Sequence, residues 1–399
     1  MECEFRQNEN LANYSTMKIG GIADFIFLPK NFRQVLEAID FANSKHLSFA
    51  ILGNGSNTLC SSFGFKGVVI CTKNMRDYEF LPVKFKKSSK SLFTYKNTNN
   101  HNKKYSRFYH CHSAQSASEA SRLEASSEVE ESPKSNKYLI KKQDTKFAQS
   151  FQKTLKPMVK QSHLVVRSFS GMSLPLLSNL VSQKSFSGLE FACSIPATLG
   201  GAVKMNAGAF NGQMSDIIYR VLIYNIKSKQ LYYKYNEKLD NKSLKLCQIF
   251  FNEQNINSKL LNFDYRRSSI LDNEFIISVD CIFSKNNKEE IAKTIKNNIN
   301  IRSSTQNVGK PSLGSVFKRG EIVPAKVIED LGLKGFSVGG AMVSKVHSGF
   351  VVNNNNATSQ DVYKLLKIIQ HIICKNCKSM VQYEIKFLGE PNGNRNNEK

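Results

Sequence analysis

The chain has 399 residues, enough for two or three domains around a sizeable core. Its formal net charge is +24, which would suit a polyanionic partner, but the lysines do not gather on one helical face, so a generally basic surface is the better account and no nucleic-acid partner is expected. No run approaches the ~18 apolar residues that cross a bilayer, and the opening MECEFRQNEN lacks the apolar segment of a secretory signal. The expectation is a cytoplasmic, monomeric protein with no membrane partner and free thiols at its nine scattered cysteines. Taking the elements in chain order, ADFIFLP (Ala23–Pro29) reads as a buried strand. Asn31 then offers an N-cap to FRQVLEAIDFANSK, where Val35, Leu36, Ile39 and Ala42 recur at helical spacing. SFAILG (Ser48–Gly53) completes a βαβ unit, and GVVICT (Gly67–Thr72) is a further short strand.

Residues 84–162 change character. They are rich in Ser, Lys and Asn and carry 17 basic against 6 acidic residues, so they are expected to be a disordered, low-complexity surface insertion. Globular patterning returns at HLVVRSFSG (His163–Gly171) and runs as a mixed α/β region to Asn287, with a helix from Lys288. Near the end, Thr358 and Asp361 have the capping-box spacing, and Val362, Leu365, Leu366, Ile369, Ile372 and Ile373 form the apolar stripe of the helix that follows. YEIKFLG (Tyr383–Gly389) closes the pattern as an alternating strand.

Five motifs have the residue types that chemistry needs. LGNGSN (Leu52–Asn57) follows a strand, where small residues let backbone amides converge on an anion; alone such a run is more often only a tight turn. IPATLGGAVKMNAGAF (Ile195–Phe210) is a second small-residue run, able to admit a large flat or phosphorylated ligand or to pack a helix tightly. FDYRRSSI (Phe263–Ile270) presents Arg266 and Arg267, either of which can fork onto a carboxylate or phosphate. GSVFKRG (Gly314–Gly320) places Ser315 between a glycine and a strand, outside any GxSxG elbow. Cys374 and Cys377 follow His371, but there is no second CxxC, and no metal site is expected.

Taken together and in order, YSTMKIGGIADFIFLP, ILGNGSNTLCSSFGFKGVVI, SGLEFACSIPATLGGAVKMNAGAF, FDYRRSSI, KPSLGSVFKRG, LGLKGFSVGGAMVSKVHSGFVVN and YEIKFLGE resemble the UDP-N-acetylenolpyruvoylglucosamine reductases, in their shorter subtype. The resemblance covers residues 10–83 and 164–389. It implies an α+β fold in which a two-part FAD-binding region of the vanillyl-alcohol-oxidase type precedes a smaller α/β substrate domain. The corresponding boundaries are 1–83 for the first FAD-binding part, 84–162 for the insertion, 163–290 for the second FAD-binding part and 291–399 for the substrate domain. By the same resemblance Gly53, Asn54, Gly55, Ser56, Asn57, Ile195, Pro196, Gly200, Gly201, Ala202, Asn206, Ala207 and Gly208 line the FAD. Arg266, Ser315 and Glu384 fall on the catalytic positions, while Tyr265 and Lys334 match substrate-binding ones. Ala197, Phe169, Gln382, Tyr383 and Gly320 depart from the family pattern.

The implied activity is reduction of a UDP-sugar enolpyruvyl ether to UDP-N-acetylmuramate in peptidoglycan precursor synthesis, with FAD as cofactor and NADPH as reductant. Ser315 is the implied proton donor, Arg266 the cation facing the enolate, and Glu384 an orienting or stabilising carboxylate. Two alternatives remain open on the residues alone. One is another flavin enzyme of the same fold, a sugar or lactone oxidase. The other is a flavoprotein scaffold that has lost its activity and binds a polyanionic surface through its basic charge.

Overall fold

A computed structural model describes residues 3–81, 163–237, 258–306 and 309–391. The insertion expected at 84–162 lies outside the described residues. The first part contains β1 (Phe5–Asn10), β2 (Ile22–Phe27), α1 (Phe32–Ser44), β3 (Phe49–Leu52), β4 (Thr58–Cys60), β5 (Phe65–Cys71) and β6 (Tyr78–Leu81). Its four-stranded sheet has the order β1-β2-β5-β3, with β5 parallel to both β2 and β3 and β1 antiparallel at the edge. The parallel pairs need a crossover, and α1 supplies it. Asn31 caps α1 by accepting the Gln34 amide at 3.1 Å, and Val35, Ala38, Ile39 and Ala42 face inward. The βαβ unit read from the sequence is therefore present.

The second part runs through β7 (His163–Phe169), α2 (Leu174–Gln183), β8 (Phe186–Ser187), α3 (Leu199–Lys204), β9 (Gly208–Ala209), β10 (Gly212–Gln213), β11 (Ile218–Asn225), β12 (Gln230–Asn236), β13 (Ser258–Leu261), β14 (Phe263–Asp264), β15 (Arg267–Ser268), β16 (Glu274–Lys285) and α4 (Lys288–Thr305). A seven-stranded sheet has the order β13-β12-β11-β16-β7-β6, with β8 added beside β16. β6 thus leaves the first part to edge the second sheet, with Leu81 opposite Val165.

Three charges are built into the middle of this sheet. Asp280 on β16 stands opposite Arg167 on β7 and Arg220 on β11. Arg167 donates to both carboxylate oxygens, at 2.7 and 2.9 Å, and Arg220 Nε donates at 2.7 Å. The Arg220 guanidinium also lies 4.0 Å from the centre of the Tyr233 ring. Burial pushes the Asp280 carboxyl up, but the two guanidiniums outweigh it and hold the group below its ordinary range.

α4 packs on this second part. Asn298 donates to the Glu190 carbonyl at 3.0 Å, and Arg302 reaches Ser194 Oγ at 3.4 Å. The helix Lys288–Thr305 spans position 290, where the boundary of the substrate domain was expected.

The third part has β17 (Ser312–Ser315), α5 (Pro324–Asp330), β18 (Ser337–Val338), β19 (Ala341–Val343), β20 (Phe350–Asn353), α6 (Ser359–Cys377) and β21 (Lys386–Leu388). An antiparallel sheet of order β17-β20-β19-β18 is covered by α6. The capping box is present: Thr358 Oγ1 accepts the Asp361 amide at 3.1 Å, and Asp361 accepts the Thr358 amide at 2.9 Å. Val362, Leu365, Leu366, Ile369 and Ile373 are buried beneath it, with Ile372 at the margin. Their core also takes in Met17, Ile19 and Leu59 from the first part.

The closing strand is shorter than its alternation suggests. Only Lys386–Leu388 pairs, in parallel with β4. Tyr383 instead bridges to Phe317, stacks on its ring at 5.6 Å and donates its hydroxyl to Gln370 Oε1 at 3.1 Å. Cys374 and Cys377 are half-buried on α6, and the described residues hold no group of three or more side chains able to bind a metal. No described helix is long and apolar enough to cross a membrane. Helices and largely antiparallel sheets make the fold α+β, as expected.

Candidate active site

A cleft of about 770 Å³ opens where the loop after β3, the segment around α3, the β14–β15 turn, β17 and the start of β21 meet. That size suits a large organic ligand. The first wall is the loop Gly53–Asn57. Gly55 has φ +60°, and a Cβ there would lie 2.3 Å from the Tyr14 carbonyl oxygen, so no other residue fits without strain. The amides of Asn54, Gly55 and Ser56 donate to no described residue and are free to converge on an anion. The side chain of Asn54 is committed elsewhere, to the Pro196 carbonyl at 2.7 Å, which joins this loop to the opposite wall.

That wall is Ile195–Ala209. Ile195, Pro196, Ala197, Gly200, Gly201, Ala202, Ala207 and Gly208 all line the cleft. Two hydroxyls on this side, Thr198 Oγ1 and Ser170 Oγ, are buried, line the cleft and have no hydrogen-bond partner among the described residues. A Cβ on Gly53 would come within 2.4 Å of Thr198 Oγ1, so the two walls are in close approach here. Orphaned hydroxyls cost stability unless a ligand satisfies them. Together with the free amides and bare backbone, they fit a flavin with its phosphates.

Arg266, Ser315 and Glu384 are brought to the same cleft from sequence positions far apart. Arg266 sits at the second central position of the β14–β15 turn, with φ +52°. A type II turn needs positive φ there, and glycine or asparagine usually supplies it. An arginine pays about 1–2 kcal/mol for that backbone, and its side chain shows why it is held. Nε donates to Glu384 Oε1 at 2.8 Å and one terminal nitrogen to the Gly208 carbonyl at 3.0 Å. Burial pushes the Glu384 carboxyl up from its ordinary value, against the pull of Arg266. Ser315 ends β17, half-buried, opposite Phe350.

Three of the expected site residues do not line the cleft. Asn206 is buried and works behind it, donating to Gln213 Oε1 at 3.1 Å and to the Asp264 carbonyl at 3.0 Å, which braces the turn that carries Arg266. Tyr265 is exposed, with its ring 5.0 Å from the Arg266 guanidinium. Lys334 pairs with Glu329 at 2.5 Å. Thr198, within the expected Ile195–Gly208 segment, lines the cleft, as do Ser170, Arg302 and Gln306, of which the last two gave no signal in the sequence.

The fold and this cleft define an α+β protein with a two-sided cleft sized for a large organic ligand. A sequence profile described as the UDP-N-acetylenolpyruvoylglucosamine reductase C-terminal domain matches residues 306–388. Proteins named UDP-N-acetylenolpyruvoylglucosamine reductase match nearly end to end. The one from Prochlorococcus marinus subsp. pastoris is 27% identical over 389 residues, 96% of this chain and 97% of its own. The one from Clostridium kluyveri is 28% identical over 389 residues, 97% and 94% of the two chains. The crystal structure of the Thermus caldophilus reductase has the same fold, with a TM-score of 0.58 at 21% identity, covering 97% of this chain and 99% of that one. Over nearly its whole length the chain is similar to the UDP-N-acetylenolpyruvoylglucosamine reductases, and residues 306–388 carry the pattern of their C-terminal domain.

Proposed function

We propose that this protein is a flavin-dependent reductase that uses NADPH to convert UDP-N-acetylglucosamine enolpyruvate to UDP-N-acetylmuramate, a step of peptidoglycan precursor synthesis. One observation carries the proposal. The phosphate-type loop Gly53–Asn57 and the constellation Arg266, Ser315 and Glu384 share one cleft, with Arg266 and Glu384 in direct contact at 2.8 Å.

The loop amides, Thr198 and Ser170 are the groups that would hold FAD. Once bound, FAD supplies hydride transfer from NADPH to the vinyl carbon of the substrate. The chain's own residues do the rest. Arg266 keeps its other terminal nitrogen without a partner among the described residues, so it can meet the substrate carboxylate as negative charge grows there in the enolate. Glu384 fixes the direction of that guanidinium. Ser315 gives its hydroxyl proton to the adjacent carbon, completing the lactyl ether. Tyr265 and Lys334 lie outside the cleft, and their assignment to substrate binding rests on the motif match alone.

Titration with FAD tests the binding half: about one flavin per chain is expected, non-covalent, with a yellow protein as the readout. Anaerobic reduction by NADPH, then reoxidation by the enolpyruvyl sugar, tests the chemistry. Protein that stays colourless after reconstitution would overturn the proposal. Reoxidation only by oxygen, with a free sugar as reductant, would instead assign the chain to the oxidase alternative.

A further inference from the structure

Thr16 lies outside the cleft, in the segment between the short helical turn Leu11–Tyr14 and β2. It is half-buried and touches two segments that line the cleft, the Gly53–Asn57 loop and β17. Its amide donates to the Gly55 carbonyl at 3.3 Å. Its hydroxyl stands 2.8 Å from the Ser312 carbonyl and 3.3 Å from that of Gly55. A hydroxyl has a single proton, and the shorter contact takes it. The backbone of Thr16 therefore holds the loop, and its side chain holds the first residue of β17.

What β17 does between that anchor and Ser315 gives the contact its meaning. Ser312 is in register with Val352, and Ser315 with Phe350, but the strand slips between them. Gly314 in that slip has φ +74°. Past Ser315, the Val316 amide donates to the Gly349 carbonyl at 3.0 Å. Ser315 thus sits at the end of an irregular, bulge-like turn pinned on both sides, and such a turn sets where the next side chain is aimed. The pin on the near side is the Thr16 hydroxyl. At its other end the loop makes a matching attachment to the second C-terminal site residue: Asn57 Nδ2 donates to the Glu384 carbonyl at 3.1 Å, and the Lys386 amide donates to the Asn57 carbonyl at 2.8 Å.

We propose that Thr16 is a positioning residue: its hydroxyl fixes the aim of Ser315 relative to the Gly53–Asn57 loop, so that proton donor and cofactor loop are held as one unit. The proposal rests on the function set out above. Small displacements of a proton donor are costly, on the order of 10²-fold for about 1 Å, whereas the loop keeps its own amide bond to Thr16 whatever the side chain.

The test compares wild type, Thr16→Val and Thr16→Ser in the full chain loaded with FAD. Valine keeps the branched shape and removes the donor; serine keeps the donor. The measurements are FAD affinity by flavin fluorescence, flavin reduction by NADPH, flavin reoxidation by the enolpyruvyl sugar, and amide exchange across residues 312–316. In Thr16→Val, reoxidation should slow by about 10-fold or more. FAD affinity and the NADPH step should stay within about three-fold. Exchange across 312–316 should rise, and Thr16→Ser should restore both it and the reoxidation rate. Wild-type reoxidation in Thr16→Val overturns the proposal. So does a parallel loss of flavin affinity and both rates that serine does not rescue, which is the mark of a general packing role. If wild-type protein itself is not reoxidised by the sugar, the functional reading has failed. Exchange then decides the Thr16 claim alone: unchanged exchange in Thr16→Val overturns it, and a rise rescued by serine supports it.

Discussion

The chemistry rests on side chains that carry no force in isolation. Ser315 is an ordinary hydroxyl and a poor acid in water, so in the proposed reaction it can act only if it is held against the reacting carbon. Ser315→Ala removes one oxygen from a half-buried site. Flavin binding and reduction by NADPH should be nearly unchanged, while reoxidation by the sugar should fall by at least about 10²-fold; Ser315→Cys should keep more activity. Stopped-flow flavin absorbance separates the two half-reactions, and an unchanged reoxidation rate removes Ser315 from the mechanism. Arg266 allows a different test, of strain. Its φ of +52° is unfavourable for every residue except glycine and a few short polar ones. Both Arg266→Ala and Arg266→Gly should lose reoxidation. The glycine variant should nevertheless be more stable than the alanine variant by about 1 kcal/mol in urea denaturation, because only alanine keeps the backbone penalty. Equal stabilities would show that the turn relaxes when the guanidinium is gone.

At the scale of elements, the seven-stranded sheet carries a charge cluster on three neighbouring strands. Asp280 is buried, and its two arginines depress its folded-state titration. The unfolded chain then binds the proton more readily than the folded one. The stability Asp280 contributes is therefore complete above the unfolded value of about 3.9 and drains away as pH falls through the depressed folded value. Asp280→Asn leaves two guanidiniums facing an amide and should cost about 3–5 kcal/mol at neutral pH. Urea midpoints followed from about pH 6 down to pH 3 should fall steeply for wild type and less steeply for the variant. Parallel curves would mean that other carboxylates govern acid unfolding. The tyrosines and valines of these strands are legible as β-formers, but the alternation rule puts Asp280 and Arg220 on a buried face where a charge is not expected. Only the strand order makes them partners.

Across the whole molecule, the chain leaves the described sheet at Leu81 and re-enters it at His163, and the two strands that meet there are paired, Leu81 opposite Val165. A chain lacking residues 88–157 needs only a short connection to keep that register. It should fold and bind FAD with stability changed by about 1 kcal/mol, since loop closure entropy varies slowly with length. Loss of soluble protein from that deletion would show that the removed segment contributes to the core. The same scale explains the cleft. Its walls come from residues near positions 55, 200, 266, 315 and 384, and β21 must run back from the third part to β4 of the first to deliver Glu384 beside Arg266.

The sequence by itself determined the local units. The helix after Asn31, the capping box at Thr358–Asp361 and the small-residue loops were readable because cap chemistry, periodicity of 3.6 and the need for bare backbone act over a few neighbouring residues. The order of seven motifs was enough to suggest the family and so the site positions Arg266, Ser315 and Glu384. Tertiary structure alone decided what each position meets. It sent Asn206 behind the cleft, brought Arg302 and Gln306 to it, and stretched Thr16 between a loop and a strand separated by hundreds of residues. Hydrogen bonds and burial of that kind depend on distance in space, and no period or spacing along the chain encodes them.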